Sequence, residues 1–226
     1  MRSRPQTFLP WIFRPTLRNE AGKILKDGGL VAFPTETVYG LGANALYEDS
    51  VKKIYEAKGR PSDNPLIVHI ADIDEINRLT VEINENAKAL IDAFMPGPFT
   101  VILKKSSIVP DTVTAGMDTV AVRFPENETA QRLIRSAGVP IAAPSANLSG
   151  KPSPTKAVHV IEDMRGRIDA IIDGENCEVG VESTIVDASG DCPVLLRPGG
   201  ISYEALCEVV PGTRIDEHIL NSLSEG

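Results

Sequence analysis

The 226 residues suffice for one domain with a sizeable core, and apolar and charged fractions of 42% and 24% exclude disordered, collagen-like and membrane-spanning classes. With 23 basic and 31 acidic residues the formal net charge is -8. No protein-wide positive field therefore draws in nucleic acid or anionic lipid, and a polyanionic ligand would need a local basic site.

The first 18 residues are acid-free and carry Arg2, Arg4, Arg14 and Arg18, but the apolar run over 8–13 is short and broken by Pro10, unlike a signal peptide. We read residues 1–16 as an N-terminal arm, 17–210 as the folded domain and 211–226 as a polar C-terminal tail. From Leu17, apolar residues at helical spacing predict a helix that Gly28 and Gly29 stop. Residues 30–33 read as a strand, followed by the turn 34–40, which is polar without needing to be. Asp49 is placed to cap a second helix, ended by Gly59 and Pro61. Residues 66–70 read as a strand, 74–79 and 86–94 as helices, 99–103 and 119–124 as strands with a polar, turn-rich segment between them, and 127–135 as a helix. Next come a strand over 140–143, a small-residue loop over 144–154, and a helix that Thr155 could cap. The last third predicts strands at 169–172, 184–186 and 193–196, then a helix near 203–209. Helices and strands mix without strict alternation, so the predicted fold is α/β, an open twisted mixed sheet flanked by helices.

Cys177, Cys192 and Cys207 form no C-x-x-C pair and are odd in number, which disfavours a disulfide framework and a zinc site and fits a reducing, cytoplasmic setting. No H-E-x-x-H, G-x-S-x-G or EF-hand loop occurs. The segment 145–151 resembles the end of a Walker loop but has Ser145 for the first glycine and Pro152 where Ser or Thr should hold magnesium. Residues 40–45 satisfy G-x-G-x-x-A behind a polar turn, and read as a glycine-softened strand that another segment approaches closely.

Four segments carry chemistry. In K-G-R-P-S-D-N-P-L, 58–66, Pro61 biases Arg60 towards extended geometry, which would send Lys58 and Arg60 to the same side, with Asn64 beyond. The plainer reading is a solvated helix terminus whose lysine complements the dipole. The loop 144–153 offers hydroxyls and backbone N–H groups suited to phosphate, or simply caps the next helix. Arg123 and Arg197 each stand at or beside the end of an apolar strand, where sheets build ligand sites, although structural ion pairing is a common fate for such residues. In 181–187, small hydroxyls enter a strand, which β-propensity alone could explain.

Taken in order, 34–40, 58–66, 144–153, 182–187 and 197–199 resemble the motifs of the YrdC-like family, the threonylcarbamoyl-AMP synthases, over residues 17–210. The resemblance implies a short, single-domain form with a large concave cavity, and a nucleotidyltransferase reaction. In it L-threonine, bicarbonate and ATP give threonylcarbamoyl-AMP and pyrophosphate, for N6-threonylcarbamoyladenosine at position 37 of tRNA. It implies Lys58, Arg60, Asn64, Thr119, Ser145, Ser153 and Arg197 for ATP, with Lys58 and Arg60 catalytic. It implies Thr37, His69, Arg123, Ala143 and Ser183 for L-threonine. The metal implied is Mg2+ arriving with ATP, on ligands the sequence does not name. The partners implied are tRNA and the proteins that transfer the modification, and no membrane. The rival readings are a double-stranded RNA or tRNA-binding module without turnover, which the net charge disfavours, and the carbamoyl-transferring domain of hydrogenase-maturation proteins, whose acylphosphatase and zinc-finger segments these residues lack.

Overall fold

A computed structural model of the chain describes residues 11–13, 18–174 and 176–224. Its strands are β1 (Trp11–Phe13), β2 (Val31–Phe33), β3 (Gly40–Asn44), β4 (Ile67–His69), β5 (Phe99–Lys104), β6 (Thr119–Arg123), β7 (Ile141–Ala142), β8 (Ala170–Ile172), β9 (Thr184–Asp187), β10 (Val194–Arg197) and β11 (Arg214–Ile215). Its helices are α1 (Arg18–Lys26), α2 (Glu48–Lys58), α3 (Ile76–Leu79), α4 (Glu85–Phe94), α5 (Asp111–Thr114), α6 (Glu128–Ala137), α7 (Ala157–Met164), α8 (Tyr203–Val209) and α9 (Glu217–Ser224). The strands form one 11-stranded sheet in the order β1-β8-β2-β3-β7-β4-β6-β5-β9-β10-β11. Parallel pairs such as β4–β6 and β5–β9 occur beside antiparallel ones such as β3–β7 and β5–β6, so the sheet is mixed, as the sequence implies.

The sheet has a buried layer on each face because β2, β7 and β8 are apolar at every position, while the polar residues of β3, β4 and β6 stand at strand ends. Side chains alternate across a strand. Val31 and Phe33, with Ala170 and Ile172, pack against α1 and α6, whereas Ala32 and Ile171, between them in sequence, join the larger core on the opposite side. Helices α4, α6 and α8 begin where Asn84, Asn127 and Ser202 accept backbone N–H bonds from Ala87, Ala130 and Ala205.

Several expectations are corrected. Asp49 does not cap α2, which starts at Glu48 after Tyr47, and Lys156 rather than Thr155 precedes α7; neither start has a side-chain cap. The segment between β5 and β6 holds the short helix α5. The supposed tail forms β11 and α9, and Asp216 accepts the backbone N–H of His218 at the start of α9. Most of the supposed arm lies outside the described residues, but residues 11–13 pair in parallel with β8. The reading of the G-x-G-x-x-A segment as a glycine-softened strand holds: Gly40–Asn44 is the buried strand β3, and a Cβ on Gly42 would meet Ile141 Cγ2 at 2.8 Å and Phe33 Cε1 at 2.9 Å. Close approach is what its glycine permits. Among the described residues, no helix is long and apolar enough to cross a membrane.

Candidate active site

The turn between β2 and β3 is polar because it builds one wall of a cavity. Thr35 Oγ1 accepts the backbone N–H groups of Thr37 and Val38, both at 3.2 Å, and donates to Val38 O at 2.6 Å. That self-contained knot aims Thr37 and Glu36 at the sheet. Strands β4 and β6 are paired so that His69 lies in register with Arg123. The Arg123 guanidinium donates to Glu36 Oε1 at 2.6 Å and to Thr37 Oγ1 at 2.9 Å, with both charged partners buried. Its Nε finds no hydrogen-bond partner among the described residues. His69 Nδ1 lies 3.2 Å from Ile67 O, and burial, then the neighbouring Arg123 charge, pushes the imidazole down to about 3. His69 is therefore neutral at physiological pH, held by backbone hydrogen bonds at Ile67 and Ile141.

The opposite wall comes from β9 and β10. Arg197 Nε and Nη2 donate to Ser183 O at 3.1 and 2.9 Å, and Nη2 also reaches Ser183 Oγ at 3.1 Å. Ser183 Oγ in turn shares a hydrogen bond of 2.8 Å with Thr100 Oγ1. Arg197 Nη1 pairs with Glu182, whose other carboxylate oxygen accepts from Ser153 Oγ at 2.8 Å. The third wall is the loop 143–154, stitched to β3 by Leu41 N–H donating to Pro144 O and Ala146 N–H donating to Tyr39 O.

Lys58 holds that loop from behind. It ends α2, and Gly59 turns the chain away in the left-handed region at φ 63. The expected extended geometry for Lys58 and Arg60 is thus overturned. The ammonium donates to Ser145 O at 2.5 Å and Asn147 O at 2.7 Å, and Lys58 is buried. Burial, then the Arg60 charge, lowers its pKa to about 8.

Arg60, Ser145 and Arg197 line the same cavity as Thr37, His69, Arg123, Ala143 and Ser183. Four other sequence-picked residues do not line it. Lys58 lies behind the loop; Asn64 is exposed, its amide 3.4 Å from Asp63; Thr119 starts β6, two residues before the lining Ala121; and Ser153 reaches the cavity only through Glu182. Sequence reasoning passed over Glu36 and Glu182. The signal available was a carboxylate inside a turn that had no need of one, and another at the mouth of an apolar strand. Cys177 is no nucleophile here, since burial holds its thiol up at about 11.

A hollow walled, among the described residues, by three guanidinium groups, hydroxyls and one carboxylate suits anionic and zwitterionic ligands bound side by side. The comparisons with known proteins point the same way. The chain is 56% identical over 195 residues to the threonylcarbamoyl-AMP synthase of Pyrococcus abyssi, covering 86% of this chain and 57% of the relative. It is 57% identical over 199 residues to the enzyme of that name from Bacillus subtilis, covering 88% and 58%. The crystal structure of P. abyssi Sua5 complexed with L-threonine superposes with a TM-score of 0.90 at 51% identity, over 94% of this chain and 64% of that one. The chain thus spans somewhat over half the length of these curated relatives. The profile of the Sua5/YciO/YrdC family, described as telomere recombination, matches residues 23–199. That match takes in all five motifs and every wall of the cavity, and the chain belongs to the Sua5/YciO/YrdC family.

Proposed function

We propose that this chain carries the catalytic unit of an L-threonylcarbamoyladenylate synthase, joining L-threonine, bicarbonate and ATP into threonylcarbamoyl-AMP and pyrophosphate for tRNA modification. The observation that carries the reading is the convergence of Arg60, Ser145 and Arg197 on one cavity with Thr37, His69, Arg123 and Ser183. The names of the relatives and the threonine complex of the P. abyssi protein support it.

The threonine ammonium and bicarbonate give a carbamate, water and a proton. A carbamate oxygen then attacks the α-phosphorus, and the bond to pyrophosphate breaks in line. An anion must meet an anion, so the protein supplies charge neutralisation and placement rather than a nucleophile. Arg60 and Arg197 neutralise the phosphates. Arg123 holds the threonine carboxylate at the floor, with its unpaired Nε as the donor still to be used and Glu36 fixing the plane of the fork. Neutral His69 orients the amino acid without adding charge to the site. Lys58 acts through the loop it grips. Among the described residues no three His, Cys, Asp or Glu side chains gather to hold a metal, so Mg2+ would be bound chiefly by the phosphate oxygens of ATP, where it lowers their charge.

The deciding experiment is pyrophosphate release from ATP, with mass spectrometry of the adenylate formed from isotopically labelled threonine. Release that needs both threonine and bicarbonate is the expected result. RNA binding without turnover would replace this reading with that of a binding module.

A further inference from the structure

Among the described residues that line the cavity Glu182 is the only carboxylate, and Arg60, Arg123 and Arg197 line it too. Its two oxygens are both engaged, one by Ser153 Oγ at 2.8 Å and the other by the Arg197 guanidinium. Ser153 and Arg197 are donors that a phosphate chain would need. Lys58 also feels the Glu182 charge from behind the loop. A carboxylate is a poor neighbour for a tetra-anion but a good placeholder for one, since it presents two acceptor oxygens to the same donors. The pair is not locked in the core: the side chains of Arg197 and Glu182 are 33% and 37% exposed, so the carboxylate has room to swing outward.

We propose that Glu182 is an internal counter-ion which holds Ser153 and Arg197 in position and is exchanged for the phosphate chain of an incoming polyphosphate. It is a positioning residue, and it sets how tightly that ligand is held and how readily pyrophosphate leaves. The inference rests on the proposed function in that the polyphosphate is ATP on entry and pyrophosphate on exit. Displacing Glu182 takes back part of the energy gained from the arginines, so the cavity binds polyphosphate less tightly than its guanidinium groups alone would allow.

The test is calorimetric titration of ATP and of pyrophosphate into wild type, Glu182→Gln and Glu182→Ala, each in EDTA and again with Mg2+, at low and high salt. Glutamine removes the charge and keeps one acceptor oxygen, for Arg197 or for Ser153, in a side chain of the same size. The expected result is binding about fivefold tighter for Glu182→Gln in EDTA, shrinking as salt rises. Glu182→Ala gains less because Arg197 loses its rest position. Equal or weaker binding by Glu182→Gln in EDTA, with the wild type saturable, overturns the counter-ion and leaves the proposed function standing. A loss confined to the Mg2+ arm makes Glu182 a metal ligand instead and overturns it too. Failure of the wild type to bind either ligand defeats both.

Discussion

On the proposed function Arg123 is the residue on which amino-acid recognition turns, and its surroundings make it more constrained than its place at a strand end suggests. Two of its nitrogens are already held by Glu36 and Thr37. The planar fork, not the charge alone, is what the turn 34–40 grips. Arg123→Lys is therefore expected to raise the threonine KM about tenfold while moving the ATP KM much less, and initial rates against each substrate check it. An equal effect on both would refute the assignment. Removing Glu36 should cost more in stability than in chemistry, since Glu36→Ala leaves a buried guanidinium without its counter-charge, a loss of about 3–5 kcal/mol, read by denaturant titration. Lys58 gives a pH signature. Its folded pKa of about 8 lies below the ordinary 10.5, so the unfolded chain binds more protons between those values and stability rises with pH across that window. Melting curves from pH 7 to 9.5 should show that rise in wild type and lose it in Lys58→Met. At this scale the sequence revealed types better than duties. Arg60, Ser145 and Arg197 could be picked out by motif, whereas the role of Lys58 depends on two carbonyls 87 and 89 positions away.

Among the elements, the β9–β10 pair shows why a motif can be readable while its reason is not. The turn after Arg197 brings Gly199 so close to the start of β9 that a Cβ there would lie 2.3 Å from Glu182 O and 2.4 Å from Thr184 N. Both are backbone atoms and cannot rotate away. Gly199→Ala should force β9 from the site and cost about 1–3 kcal/mol by overpacking, with nucleotide affinity falling alongside. Intact affinity in a folded Gly199→Ala protein would break the link between the turn and the site. Helix α8 falls where the sequence places it, over Tyr203–Val209, and the structure adds the Ser202 cap. The 58–60 geometry does not, because whether Gly59 continues an extended run or enters the left-handed region is decided by the helix behind it.

For the whole molecule, the mixed sheet could be anticipated from strands and helices that fail to alternate strictly, but its outer members could not. β1 has three residues and β11 two, too few for a periodic signal, and each is defined by the strand it pairs with. Deleting residues 1–16 would uncover β8 at the sheet edge, on the far side of β2 from the cavity. The expected outcome is a melting temperature lower by about 2–4 °C with steady-state constants unchanged, and altered constants would place β1 in the workings of the site. The walls of the cavity are drawn from residues as far apart as Thr35 and Arg197. No early stretch of the growing polypeptide can contain them all. A nascent chain leaving the ribosome presents α1 and β2 long before β10 emerges, and it stays unable to close the cavity until Arg197 is free of the tunnel. Synthesis halted before that point leaves the hollow without its Arg197 wall.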